Sequence, residues 1–294
     1  MRANAMLIDH QGFDLKVLSD FYRGEHKSVL DDRVINSILE HLILSAHQLS
    51  ALEKLSFVKP QADVARVASV AWYYGIYAAA TAMVAAQERK VQDNHTQTAN
   101  SWDRQLVQTG KILKPFDISV STLLKKEAEL EIDAYRRGPK TNLVAPPETL
   151  DQAHDYVAGY LSGTRKWTQW KIEEEIKKST PFKKAGFKDF RTIGARAMRD
   201  ERLKKQSISF VHQAIRFRGK ANYREALYLA HGRHVDATIE GFIPDQAAVL
   251  RAFSMMAGVF CLRRVGREIE TAFLDDLEKN RAFSLDPVLL WRSV

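Results

Sequence analysis

Residues 64–87, VARVASVAWYYGIYAAATAMVAAQ, leave the backbone little choice. The run holds no proline and a single glycine, Gly75, and it is built mainly of alanine, the residue that gives up least on becoming helical. At the α-helical rise it spans about 36 Å, enough to run through an entire domain. Alanines and Gly75 leave much of its surface thin, so a neighbouring helix can approach closely. Trp72, Tyr73, Tyr74 and Tyr77 supply the bulk, and core packing accounts for that stripe without a cofactor. The length is borderline for a membrane span and a Leu/Ile-rich centre is missing, so the run reads as a buried core helix and no membrane partner is expected. Glycine (14) and proline (8) are scarce across the 294 residues. No alternating strand pattern appears, and the expected fold is all-α.

The remaining segments agree. From Asp31 to Leu55, apolar residues recur at helical spacing (Val34, Ile35, Ile38, Leu42, Ala46, Leu49), and Asp31 or Asp32 can cap the start. His41 and His47 lie six apart, do not share a face, and read as polar-face or satisfied core histidines. Pro60 separates this helix from the Ala-rich one. Helices are expected around 101–110 and 119–136. A Gly/Pro-rich loop, RRGPKTNLVAPPET, follows, and a helix should then run from Thr149 to about Lys178. Ser179-Thr-Pro is the candidate boundary between two helical bundles, 31–178 and 179–294, with 1–30 as a lead-in. Beyond it come one or two cationic helices, then an apolar-periodic helix from Ser207 that breaks near Gly219. Asn222 can cap a further helix ending before Gly232. Asp245 is expected to cap a long apolar helix, and a final amphipathic helix reaches about Lys279. The single cysteine, Cys261, excludes an internal disulfide and a cysteine-based metal site. The N-terminus lacks a signal-like apolar run, and a cytoplasmic location is expected.

Charge narrows the function. Residues 1–180 are neutral, whereas residues 183–233 hold 14 basic and 4 acidic side chains, a net +10 that exceeds the +8 of the whole chain. Such a concentration suits a polyanion, since Lys/Arg neutralise phosphates without reading sequence; a solvated basic face is the plainer account. No Gly-rich phosphate loop, dinucleotide fingerprint, HExxH or GxSxG is present, no carboxylate pair stands out, and neither cofactor nor metal is expected. The basic segment ends in RFRGKANYREALYLAHGRH, residues 216–234. Seven positions return a helix nearly to the same face, so Arg224, Tyr228 and His231 fall in one line. A histidine can move protons at neutral pH and an arginine can steady a phosphoryl oxygen, which together suit metal-free RNA cleavage by the 2′-hydroxyl. Tyr223, Glu225 and Tyr228 would support that chemistry, and Arg216, Arg218, Lys220 and Arg233 would hold the RNA backbone. Equally, a histidine before Gly232 can simply complement a helix end, with Arg224 solvated or paired to Glu225 or Asp245.

Residues 31–178 resemble the HEPN superfamily of small helical domains. AWYYGIYAAATAMVAA is similar to that family's Tyr/Ala-rich second helix, and AYRRGPKTNL followed by PPETLDQAHDYVAGYL to its arginine loop and closing helix. HEPN ribonucleases carry an Arg, usually a polar residue after it, and a His following at an interval of four to six residues. No such His follows Arg136 or Arg137, so this first copy resembles a catalytically empty domain. YREALYLAHG fits the motif with Arg224 and His231, although Glu225 stands where Asn, Asp or His is usual. The resemblance implies a metal-independent endoribonuclease acting as a homodimer, of the kind found in toxin–antitoxin, antiphage and CRISPR systems, with RNA as substrate and a protein partner in such a system. The alternative is a non-catalytic, helical nucleic-acid-binding subunit of a larger complex.

Overall fold

The computed structural model describes residues 1–92, 94–138, 145–222, 231, 239 and 241–292. Among them the regular elements are helices, and the one β-type pairing is an isolated antiparallel bridge between Val120 and Ile208. The chain is all-α.

Two long helices form the centre. Helix α3 (Asp32–Leu55) starts where the Asp31 carboxylate accepts the Val34 N–H at 2.8 Å, and it buries Ile38, Leu42, Ala46, Leu49 and Leu52. Helix α4 (Ala62–Glu88) buries nearly all of its Ala-rich second half between α3 and a third long helix, Phe242–Val265. Gly75 shows why the thin surface is needed: a Cβ there would stand 2.5 Å from Leu250 of that third helix. Each fully buried Leu, Ile, Val, Met or Phe side chain here contributes about 1.5–3 kcal/mol, and each alanine less. Helix α4 alone among the described helices is long and apolar enough to cross a membrane, and most of its apolar window is buried inside the protein. Its role is that of a core helix.

Two short N-terminal helices, α1 (Arg2–His10) and α2 (Leu15–Phe21), are built into this core through Ile8, Leu18 and Tyr22. The lead-in expected over residues 1–30 is therefore an integral part of the fold. Helix α5 (His95–Trp102) is capped by Asn94 and continues as a π turn, Asp103–Val107. The helix expected over 119–136 is shorter, α6 (Lys125–Ala134), because Val120 is extended and exchanges N–H···O bonds of 2.8 and 3.0 Å with Ile208. Helix α7 (Leu150–Lys178) covers the span expected from Thr149 to about Lys178, with Thr149 as its N-cap in a reciprocal capping box with Gln152.

Helices α8 (Thr180–Lys184) and α9 (Ile193–Lys204) lie against α7. Helix α10 (Phe210–Asn222) passes through Gly219 without the expected break. Buried Val211, Ala214 and Ala221, and Phe217 edge-on to Trp72 at 5.2 Å, hold it on both sides of that glycine. A glycine costs an exposed helix only about 1 kcal/mol, which this packing outweighs. Helix α11 (Phe242–Val265) starts three residues before Asp245, with Pro244 in its first turn and Gly241 at the N-cap. The Asp245 carboxylate pairs with Arg2 at 3.3 Å. Helices α12 (Arg267–Asn280) and α13 (Pro287–Trp291) close the chain, with Trp291 lying against Gly258 and donating to the Ser254 carbonyl at 3.0 Å.

Packing does not divide at Ser179. One core cluster joins residues from Ile8 to Phe116 with residues from Phe210 to Trp291; the second gathers Ile118 to Ile208 together with Ala3 and Leu7. The C-terminal helices complete the bundle that α3 and α4 begin, and the middle of the chain forms the other bundle.

Candidate nucleic-acid interface

The basic segment is displayed on two surfaces. The first is the outer side of α8 and α9. Lys183, Lys184, Lys188 and Lys204 are exposed there, and among the described residues no carboxylate pairs with them. Arg191, 91 % exposed at its side chain, sits 3.4 Å from Asp189. Helix α7 continues this surface with Lys166, Lys171 and Lys178 and with two exposed tryptophans, Trp167 and Trp170. The Lys171 ammonium lies 4.9 Å over the Trp167 ring. Four-residue spacing puts Lys166 beside Trp170 and Trp167 beside Lys171, so rings and cations share one face.

The second surface is built by the C-terminal half of α10, and here the sequence-derived residues behave differently from one another. Arg216 turns inward against α7: its Nη1 donates to Thr164 Oγ1 at 3.1 Å and its guanidinium lies 5.4 Å over Tyr160. Gly163 makes the room, since a Cβ there would meet Nη1 at 3.1 Å. Lys220 and Arg216 border a cavity of about 600 Å3 whose wall is largely apolar, formed by Trp72, Tyr156, Phe210 and Phe217 among others. Arg218 turns the other way, toward α4, with its guanidinium 5.1 Å over Tyr73 and 5.4 Å over Tyr74. His231 is exposed. Arg224, Tyr223, Glu225, Tyr228 and Arg233 lie outside the described residues, as does most of the expected helix that carries them.

Beside Arg218 the structure assembles a group that sequence spacing did not single out. His95, the first residue of α5, places Nδ1 2.6 Å from the Tyr73 hydroxyl and lies tilted against Tyr77 with centroids 3.9 Å apart. Burial and the Arg218 charge both hold the imidazole below its ordinary pKa. Burial drives the Tyr73 phenol far up, against the opposing pull of Arg218, so Tyr73 keeps its proton. Three elements, α4, α5 and α10, thus bring an arginine, a phenol and an imidazole together. The only signal in the sequence was the tyrosine stripe of α4, which packing alone explains, and a lone histidine twenty-two residues after Tyr73.

Arg136, one of the two arginines of the AYRRGPKTNL stretch, is occupied structurally: it pairs with the buried Asp155 carboxylate of α7 and with Asp133 at 3.0 Å. Among the described residues no three His, Cys, Asp or Glu side chains converge as metal ligands would. Searches of family models, of curated proteins and of solved structures each return no match to this chain.

Proposed function

We propose that this protein is a metal-independent endoribonuclease of the HEPN type, with Arg224 and His231 at its catalytic centre. The observation that carries the reading is the exposed cationic surface of α8 and α9, where Lys183, Lys184, Lys188 and Lys204 have no carboxylate partner among the described residues. It belongs to the same fifty-residue segment that ends at His231, itself exposed. In the reaction the 2′-hydroxyl attacks the adjacent phosphorus, its proton passes to a base, and the 5′-oxygen leaves with a proton. His231 serves in proton transfer and Arg224 steadies the phosphoryl oxygens. Because one chain supplies one such pair, a two-fold dimer would set two pairs across a shared cleft. Cleavage of this kind fits a toxin or antiphage effector working in the cytoplasm. The test is incubation of the purified protein with RNA in EDTA, reading product ends: 2′,3′-cyclic phosphate or 3′-phosphate with 5′-hydroxyl is expected, and intact RNA would refute the reading.

A second reading is a non-catalytic RNA-binding subunit. The exposed Trp167 and Trp170 of α7 favour it, with Lys171 over the Trp167 ring, because rings and cations on one face can hold a strand without cutting it. That reading expects salt-sensitive binding with no turnover.

A further inference from the structure

We infer that Arg218, Tyr73, His95 and Tyr74 form a binding site for one nucleotide of a single-stranded RNA, with the phosphate held by Arg218 and His95 and the base stacked on Tyr74. This rests on the RNA-binding part of the proposed function and does not require cleavage. A hydrogen bond joins Tyr73 and His95. Tyr73 is wholly buried and keeps its proton, and Nδ1 of His95 is 2.6 Å from its oxygen. Arg218, the other polar group over this ring, is a donor only and cannot receive that proton. The phenol therefore donates to Nδ1, and the neutral imidazole carries its own proton on Nε2.

That assignment makes the cluster a set of donors. The Nε2–H of His95 has no acceptor bonded to it among the described residues, and Arg218, which donates to the Tyr73 hydroxyl, still has its buried Nε without a partner. A site with donors and, among the described residues, no carboxylate bonded to them suits an anion, and a planar guanidinium suits phosphate oxygens. The aromatic members narrow the anion further. Tyr74 is 38 % exposed, with Arg218 over its ring at 5.4 Å. An exposed aromatic face next to a phosphate-binding arginine is what holds a base and its phosphate together in single-stranded recognition, where each stacked base contributes about 1–3 kcal/mol. A duplex keeps its bases stacked on each other and does not offer one to Tyr74.

The experiment measures fluorescence anisotropy of a labelled, 2′-O-methyl single-stranded RNA in EDTA, so that binding is read without cleavage. Arg218→Gln and His95→Gln should each weaken binding roughly tenfold, and Tyr74→Ala should do likewise. Tyr73→Phe, which frees Nδ1 while keeping the packing, should weaken it several-fold. Arg218→Lys keeps the charge and checks that α10 remains folded, by circular dichroism and melting. Addition of the RNA should also shift the His95 imidazole NMR signals, assigned by their loss in His95→Gln. Duplex RNA of the same sequence should bind without shifting them. Unaltered affinity in folded Arg218→Gln and His95→Gln would overturn the proposal. Binding of inorganic phosphate in place of the oligonucleotide, with the same shifts, would overturn the nucleotide assignment. Wild-type protein that binds the RNA at this site yet leaves an unmodified RNA uncut in EDTA would sink the nuclease reading and leave this one standing.

Discussion

His212 offers a way to test the packing that holds the α10 face in place. Its ring lies between α10 and α5. The Ser209 backbone N–H donates to Nδ1 at 3.2 Å, and Nε2 lies 3.0 Å from Asn100 Oδ1. Both nitrogens are thus satisfied in one neutral tautomer, and a second proton would find a donor already facing it. Desolvation lowers the folded-state pKa from the ordinary 6.5 to about 4. For a base whose pKa falls on folding, the stabilisation is complete above the unfolded value and is lost as pH drops from about 6.5 toward 4. At 1.36 kcal/mol per unit, the full loss is about 3 kcal/mol. Urea unfolding at intervals from pH 7.5 to 4 should show wild type losing about that much relative to His212→Gln, which keeps a polar side chain but does not titrate. Comparison of the two proteins cancels the contribution of buried carboxylates such as Asp103 and Asp245, whose raised pKa values act in the opposite direction. Parallel pH profiles for wild type and His212→Gln would refute the argument.

Arg136→Ala should destabilise the protein by about 3 kcal/mol, because it strips a buried carboxylate, Asp155, of a cationic partner. RNA binding by the variant below its melting temperature should be unchanged, and a loss of binding there would contradict the structural role given to Arg136. Trp170→Ala should weaken single-stranded RNA binding by about 1–3 kcal/mol in an anisotropy titration if a base stacks on this 58 %-exposed ring. Thermal stability should not fall, since little of the ring is covered, and wild-type affinity in the variant would remove α7 from the RNA-binding surface.

What the sequence conveyed about the fold was local. The Asp31 cap and the Thr149–Gln152 box each satisfy backbone N–H groups within four residues, so both helix starts could be read directly. At Gly219 and over 119–124 the local pattern misleads because the deciding contacts are distant. Phe217 meets Trp72 from the other end of the chain, and Val120 pairs with Ile208 across 88 residues. The boundary at Ser179 was read from a Pro and a charge step, but those mark a surface turn; the apolar faces of α10 and α11 need α4 to cover them. The same holds for the site. Arg218 was legible as one cation in a basic run, whereas its company of Tyr73 and His95 exists only once α4, α5 and α10 are packed together.

The central claim is that RNA is cut at Arg224 and His231 without a metal. Its most direct test is RNA cleavage in EDTA by wild type and by His231→Ala, with folding and RNA affinity measured on both. The account expects cleavage by wild type and none by the variant, at unchanged melting temperature and affinity. Equal cleavage by the two proteins would contradict it.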